Sequence, residues 1–105
     1  GFTDYNKLQI DGTVAQVNDI APLGAKWAAF GWNVIEVADG NDVEQVSAAV
    51  KQAKANRDTG RPTMVILNTL KGCGVKWIED MGAGNHNTNV SEEQAKAAIA
   101  EIREG

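Results

Sequence analysis

The sequence lacks several features that would point to particular kinds of protein. It has no apolar run near the ~20 residues that a membrane-spanning helix needs. Cys73 is its one cysteine, so no disulfide can form within the chain, and we expect a reducing, cytoplasmic compartment. Ten basic residues stand against fourteen acidic ones, which gives a formal net charge of −4. This balance argues against nucleic acid and against an anionic membrane surface as partners.

The chain is long enough for one small domain and no more. Its 105 residues have an ordinary hydrophobic fraction of 43%. The chain begins with Gly1, and Gly1-Phe2-Thr3 leads directly into what resembles the end of a strand. We therefore expect residues 1–105 to form a single, partial domain from a longer protein.

Three segments are predicted to be strands. The first covers residues 2–8 and is short and mixed, whereas the second, residues 32–37, is rich in β-branched residues. The third, residues 63–68 (TMVILN), is a nearly continuous apolar run, which is typical of a strand covered on both faces.

Helices are predicted between and after these strands, from apolar residues at helical spacing. Residues 13–21 are expected to be irregular or a short helix. One helix starts near Pro22, a second is capped by Asp42 with Gln45, and a third is capped by Ser91 with Gln94. The apolar stripe of the first helix is Leu23, Trp27 and Phe30, and that of the third is Ala95, Ala98, Ile99 and Ile102. The stripe of the second helix, which is expected to be buried, is Val43, Val46, Val50 and Ala53.

The alternation of strands and helices predicts an α/β fold with about three parallel strands and flanking helices. Residues 75–90 are predicted to be a loop. Ligands of such sheets bind beyond the carboxyl ends of the strands. The loops in that position are residues 4–12, 39–42 and 69–74, and the first and third hold the more informative residues.

Each of these two loops has a functional and an ordinary interpretation. The Asn6 side-chain oxygen and the carbonyl two residues later are the kind of oxygen ligands that Mg²⁺ prefers, but Asp and Asn also fill plain turns. The segment Lys71-Gly72-Cys73-Gly74 allows backbone to approach a ligand closely, but it also fits a simple end of a strand.

Three separated blocks resemble transketolases in order and spacing. They are DYNKLQIDG (residues 4–12), AKWAAFGWNVIEVADGND (residues 25–42) and PTMVILNTLKGCG (residues 62–74). The resemblance covers nearly the whole chain but a minority of a transketolase. It implies a partial thiamine diphosphate-binding fold, namely the later part of the domain that holds the diphosphate. Transketolases transfer a two-carbon ketol unit between sugar phosphates, as in the pentose phosphate pathway, using thiamine diphosphate and a divalent cation.

The resemblance also implies roles for particular residues. The Asn6 side chain and the Leu8 carbonyl match two ligands of the cation, Mg²⁺ or Ca²⁺. Ile10 matches an aliphatic residue packed on the thiazolium ring, and Lys71 matches a position near the diphosphate. His86 matches a histidine near the diphosphate and the substrate channel, and is the candidate catalytic residue. The family's Gly-Asp-Gly motif, which supplies the first metal ligand, is absent from these residues.

The resemblance further implies partners. In the family, a second domain or subunit holds the aminopyrimidine end of the cofactor. We therefore expect the missing remainder of the enzyme, with its pyrimidine-binding domain or subunit, as a partner. We also expect sugar phosphates as substrates of the intact enzyme, and a homo-oligomer. We expect no ketol transfer by the chain alone. Two alternatives remain open: another thiamine diphosphate enzyme (deoxyxylulose-phosphate synthase or a dehydrogenase E1 subunit), or a non-catalytic remnant or assembly piece.

Overall fold

The computed structural model describes residues 1–104 and consists of short strands and helices in alternation. Gly105, the last residue of the predicted domain, lies outside the described residues. The strands are β1 (Phe2–Tyr5), β2 (Leu8–Gln9), β3 (Gly12–Thr13), β4 (Asn33–Val37) and β5 (Thr63–Asn68). The helices are α1 (Val14–Val17), α2 (Leu23–Ala29), α3 (Val43–Ala55), α4 (Lys76–Asp80) and α5 (Glu92–Glu104), with 3₁₀ helices at Arg57–Thr59 and Gly82–Asn87.

The main sheet has three strands in the order β1-β5-β4, and both neighbours of β5 are parallel to it. Phe2 pairs with Val65 at one end of the β1–β5 ladder, and Tyr5 pairs with Asn68 at the other. The predicted α/β class with three parallel strands and flanking helices is therefore confirmed. All three strands end at the same edge of the sheet, which brings the loops after them together.

The core lies on the central strand. Val65 is 1% exposed, and it packs in a cluster with Ile35, Val37 and Ala49. The neighbours of Val65 on β5, Met64 and Ile66, are also buried although their side chains point to the opposite face. The apolar run at residues 63–68 thus forms a strand covered on both faces, as its composition predicts.

The two predicted caps are present. Asp42 accepts hydrogen bonds from the backbone N–H groups of Glu44 (2.8 Å) and Gln45 (3.4 Å), and so begins α3. The Gln94 N–H donates to Ser91 Oγ at 3.2 Å, while the Ser91 N–H donates to Gln94 Oε1 at 2.9 Å. These side chains satisfy N–H groups that the first turn of a helix leaves unpaired.

The predicted apolar stripes are only partly buried. Val46, Val50 and Ala53 of α3 are half-buried, but Val43 is 78% exposed, so its predicted burial is wrong. Val43 is the first residue of α3, whereas the α3 residues in or against the core cluster, Ala49 and Ala53, lie further along the helix. Ile99 and Ile102 of α5 are also exposed, at 50% and 60%.

The predicted loop at residues 75–90 is wrong in part. It contains α4 and the 3₁₀ helix Gly82–Asn87, which are too short for periodicity to reveal. The first strand also ends earlier than predicted, at Tyr5, because Lys7 takes a left-handed conformation (φ 62°) that turns the chain into the β2–β3 ladder. Within the described residues, no helix is long and apolar enough to cross a membrane.

Candidate functional site

A groove of about 460 Å³ lies where the loops after β1, β4 and β5 meet. Its wall includes six residues that carry polar or reactive groups: Asp4, Asn6, Asn41, Thr69, Lys71 and Cys73. This is the edge of the sheet at which parallel strands present ligand sites. All three loops that the sequence analysis places at this edge contribute to the groove.

The loop after β1 is held by a side-chain turn. The Leu8 N–H donates to Asn6 Oδ1 at 2.9 Å, and the Val14 N–H donates to the Lys7 carbonyl at 2.8 Å. The Asn6 oxygen has two lone pairs, so one remains for another ligand. Both interpretations of Asn6 are thus compatible with the structure: it makes the turn and it also lines the groove.

The loop after β5 is fixed from both sides by side chains of the other two loops. The Thr69 hydroxyl donates to Asp4 Oδ1, and the Leu70 N–H donates to Asn41 Oδ1 at 2.8 Å. The Gly40 N–H also donates to the Asn68 carbonyl at 2.7 Å. These bonds join β1 and β4 to the chain that leaves the central strand, and so set the shape of the groove.

The glycine turn after β5 packs against α4. Gly72 has φ 82°, and a Cβ there would lie 2.5 Å from Ile78 Cγ2, so a side chain does not fit. Gly74 has φ 90°, and its N–H donates to Glu79 Oε1 at 3.0 Å. Local geometry therefore suffices to explain these glycines, and α4 is the element they approach.

Lys71 and His86 lie side by side at the groove. Lys71 Nζ and His86 Nδ1 are 3.4 Å apart, and Lys71 is half-buried whereas His86 is exposed. Lys71 is on the groove wall, whereas His86, in the 3₁₀ helix Gly82–Asn87, lies beside Lys71 and is not itself part of the wall. The glycine turn thus contributes the nitrogen of Lys71 to the groove, with the ring of His86 next to it.

Three of the predicted site residues, Leu8, Ile10 and His86, are not on the groove wall. Leu8 pairs with Thr13 in the small antiparallel ladder and is half-buried. Ile10 lies at the tip of that ladder and is 60% exposed. The structure therefore brings Asn6 and Lys71 together, keeps His86 beside Lys71, and leaves Leu8 and Ile10 on the hairpin that borders this edge of the sheet.

Besides Cys73, three groove residues with polar side chains were not predicted as site residues: Asp4, Asn41 and Thr69. Each is polar and stands at or just beyond the carboxyl end of a parallel strand. That position is the signal that could have indicated them. Their hydrogen bonds join residues from 29 to 65 positions apart in the chain, and no local pattern predicts such pairs.

The two shifted pKa values belong to helix ends. The side chain of Gln45 and the backbone N–H of Glu44 hold the pKa of Asp42 below its usual value, because they donate hydrogen bonds that favour the carboxylate. The hydrogen bond from Lys76 to Asp80 raises the pKa of Lys76. Neither residue lines the groove, and both shifts arise from hydrogen bonds at the starts of α3 and α4.

The oxygen atoms in the groove suit a hard cation. They are the carboxylate, amide and hydroxyl oxygens of Asp4, Asn6, Asn41 and Thr69. Within residues 1–104, no group of three or more His, Cys, Asp and Glu side chains is arranged to hold a metal ion. A cation here would therefore fit only with further ligands, such as phosphate oxygens, which is the way Mg²⁺ is commonly bound.

A family model for the transketolase thiamine diphosphate binding domain matches residues 1–102. The chain belongs to the transketolase family. Among curated transketolases, a 6-deoxy-6-sulfo-D-fructose transketolase subunit (SqwG) from Clostridium sp. (strain MSTE9) is 48% identical over 101 residues, which are 96% of this chain and 35% of the relative. One of the subunits of an apulose-4-phosphate transketolase from Phocaeicola vulgatus is 31% identical, over 96% of this chain and 34% of the relative.

The fold agrees with that of solved transketolases. A transketolase from Pichia stipitis superposes with a TM-score of 0.60 at 24% identity, covering 98% of this chain and 18% of the other. At this identity the likeness concerns the fold alone. The chain spans about a third of the length of the two bacterial relatives named above, so the remaining two thirds of those proteins have no counterpart in these residues.

Proposed function

We propose that this chain is the later part of the diphosphate-binding domain of a transketolase, and that the groove holds the cofactor diphosphate with its divalent cation. One observation carries the proposal: Asn6 and Lys71, which the resemblance assigns to the cation and to the diphosphate, line the same groove. They are 65 residues apart in the chain, and the parallel sheet brings them together at its carboxyl edge.

Asn6 and Leu8 would be ligands of the cation, Mg²⁺ or Ca²⁺. The bond between the Leu8 N–H and Asn6 Oδ1 keeps the two residues within one tight turn, so the side-chain oxygen and the Leu8 carbonyl have a fixed relation. Their hard oxygens suit either cation. Bound there, the ion would neutralise the charge of the two phosphates, and the further protein ligand would come from outside this chain.

Lys71, His86 and Ile10 would hold the cofactor from other directions. Lys71 offers a positive charge to the diphosphate, and His86, 3.4 Å from it, offers a hydrogen bond to a phosphate or sugar oxygen. We assign His86 as the catalytic residue of this chain because it would contact substrate. The exposed side chain of Ile10 is available to pack on the thiazolium ring.

The proposed reaction is transfer of a two-carbon ketol unit between sugar phosphates. Thiamine diphosphate supplies the carbanion chemistry, and these residues bind and orient it. A pyrimidine-binding domain or subunit would complete the site, in a cytoplasmic homo-oligomer. The chain spans about a third of the bacterial relatives, which supports a partner of this kind. For the same reason we propose that the isolated chain has no ketol-transfer activity.

The relative that is 48% identical is named for a sulfonated sugar, which makes the substrate a separate question. Sugar phosphates and 6-deoxy-6-sulfo-D-fructose should both be offered to the assembled enzyme. The match to the transketolase family model supports this activity over that of the other thiamine diphosphate enzymes.

The test is a calorimetric titration of the full-length protein with thiamine diphosphate, with and without Mg²⁺. We expect Mg²⁺-dependent binding that Asn6→Ala weakens about tenfold or more, since loss of residues at a metal site commonly costs that much. Asn6→Asp retains an oxygen ligand and should bind. The matched control is Asn89→Ala, because Asn89 is exposed outside the groove.

Two results would overturn the proposal. In the first, the wild-type protein does not bind thiamine diphosphate in the presence of Mg²⁺. In the second, Asn6→Ala binds it as tightly as Asn89→Ala does. Thermal melts of the three variants show whether each is folded, so that loss of the Asn6 turn is not mistaken for loss of a ligand.

A further inference from the structure

We infer that Asp4 makes binding of the diphosphate depend on the divalent cation. Its carboxylate would render the groove a poor site for the anion alone and a good site for the anion together with the metal. This inference rests on the proposed function and concerns the specificity of the same site. It assigns to Asp4 a role separate from the ligands Asn6 and Leu8.

The sheet places the Asp4 carboxylate in the groove. Asp4 is the third residue of β1 and pairs with Leu67 of β5, and Asn6 follows two positions later on the same groove wall. The Thr69 hydroxyl donates to Asp4 Oδ1 and thereby fixes the carboxylate. Within residues 1–104, its other oxygen, Oδ2, accepts no hydrogen bond from the protein.

The charge of Asp4 is not neutralised by a neighbour. The ion pairs in the described part of the chain are Arg57–Asp58, Lys76–Asp80 and Lys96–Glu92, so no basic nitrogen among residues 1–104 lies within 4 Å of the Asp4 carboxylate. Lys71 lines the groove but does not pair with Asp4. The groove thus carries a negative charge at Asp4 and a positive charge at Lys71.

This division of charge has a consequence for a diphosphate. An anion that enters the groove alone would be attracted by the half-buried Lys71 and repelled by the exposed Asp4, because opposite charges attract and like charges repel at close range. A divalent cation held beside Asp4 and Asn6 would reverse the repulsion, because the carboxylate would then attract the cation that accompanies the phosphates. Asp4 therefore penalises binding of the anion alone and favours binding of the anion with the metal.

A purely structural role for Asp4 makes a different prediction. If Asp4 served only to accept the hydrogen bond from Thr69, its charge would not matter. Asp4→Asn removes the charge and keeps an oxygen that can accept the bond. Thr69→Val removes the bond and keeps the charge. The two variants therefore separate the two roles.

The experiment measures the affinity of the full-length protein for thiamine diphosphate at zero and at saturating Mg²⁺. The ratio of the two dissociation constants is the coupling factor. We expect Asp4→Asn to lower this factor about fivefold or more, through both tighter binding without metal and weaker binding with it. We expect Thr69→Val to keep the factor within about twofold of wild type. Asp4→Glu should retain most of the coupling.

Each outcome decides between the roles. If Asp4→Asn keeps the wild-type factor, or if Thr69→Val loses as much coupling as Asp4→Asn, charge is not the cause and the inference fails while the proposed function stands. If the wild-type protein does not bind the cofactor with Mg²⁺, both fail. Should Asp4→Asn not fold, as judged by its thermal melt, Asp4→Ser provides the same comparison.

Discussion

The two ends of the sheet are both polar, yet they use polar groups differently. At the amino end, side-chain donors bond to backbone carbonyls: Arg61 Nε donates to the Gly31 carbonyl at 2.7 Å, and Arg61 Nη2 donates to the Trp32 carbonyl at 3.3 Å. Asn33 Nδ2 donates to Thr59 Oγ1 at 3.0 Å. These bonds join the start of β4 to the segment that enters β5.

At the carboxyl end, the side chains make structural bonds and still have groups available. Asn6 bonds to Leu8 and retains a lone pair, and Asp4 bonds to Thr69 and retains its charge. Lys71 lines the same groove without a carboxylate partner among residues 1–104. Polarity alone therefore does not indicate a binding site. A site is indicated by polar groups that the structural hydrogen bonds leave without a partner.

The largest expected effect on stability is at the carboxyl end, at Gly40. A Cβ at this position would lie 2.7 Å from Thr69 Cγ2 and 2.8 Å from Leu67 Cβ. We expect Gly40→Ala to lower the free energy of unfolding by about 1.5 kcal/mol, as overpacking does, and also to weaken binding of thiamine diphosphate because the groove shifts. Chemical denaturation and calorimetry measure the two effects.

Gly84→Ala is the matched control, since a Cβ there meets no atom within 4 Å of it among the described residues, and Gly84 lies off the groove wall. If Gly40→Ala unfolds and binds like Gly84→Ala, the carboxyl end is not tightly packed around the groove.

A smaller effect is expected at the amino end, at Arg61. Arg61→Met removes two hydrogen bonds to backbone carbonyls and keeps a side chain of similar length. We expect a loss of about 1 kcal/mol in the free energy of unfolding and an affinity for thiamine diphosphate with Mg²⁺ within about twofold of wild type. Arg103→Met, at the exposed end of α5, is the control for loss of a positive charge. A large loss of affinity in Arg61→Met would contradict the division between the two ends.

Much of the fold follows from the sequence because the central elements carry strong local patterns. The run TMVILN predicts β5, and the Asp42 and Ser91 caps predict the starts of α3 and α5. Burial of individual side chains is less predictable, as Val43 shows. Its position fits the apolar stripe of α3, but burial depends on how far the sheet extends beneath the first turn of the helix.

The groove could be predicted in outline but not in its contacts. Strand order places the three loops at one edge, and the resemblance points to Asn6 and Lys71. The bonds from Thr69 to Asp4 and from Leu70 to Asn41 depend on the pairing of strands far apart in the chain. The short helix α4 was not predicted either. Gly72 of the glycine turn lies close to Ile78 of α4, and sequence periodicity does not reveal such a contact.

Hydrogen exchange of the full-length protein, with and without thiamine diphosphate and Mg²⁺, tests the central claim most directly. A bound ligand slows exchange where it stabilises the structure against local opening. We predict that amides in residues 4–8 and 69–74 exchange more slowly, by up to about tenfold, when the cofactor and metal are present. Amides in residues 31–33 and 59–63, at the other end of the same strands, should be unchanged. Equal protection at both ends, or protection at the amino end alone, would contradict the placement of the cofactor in the groove.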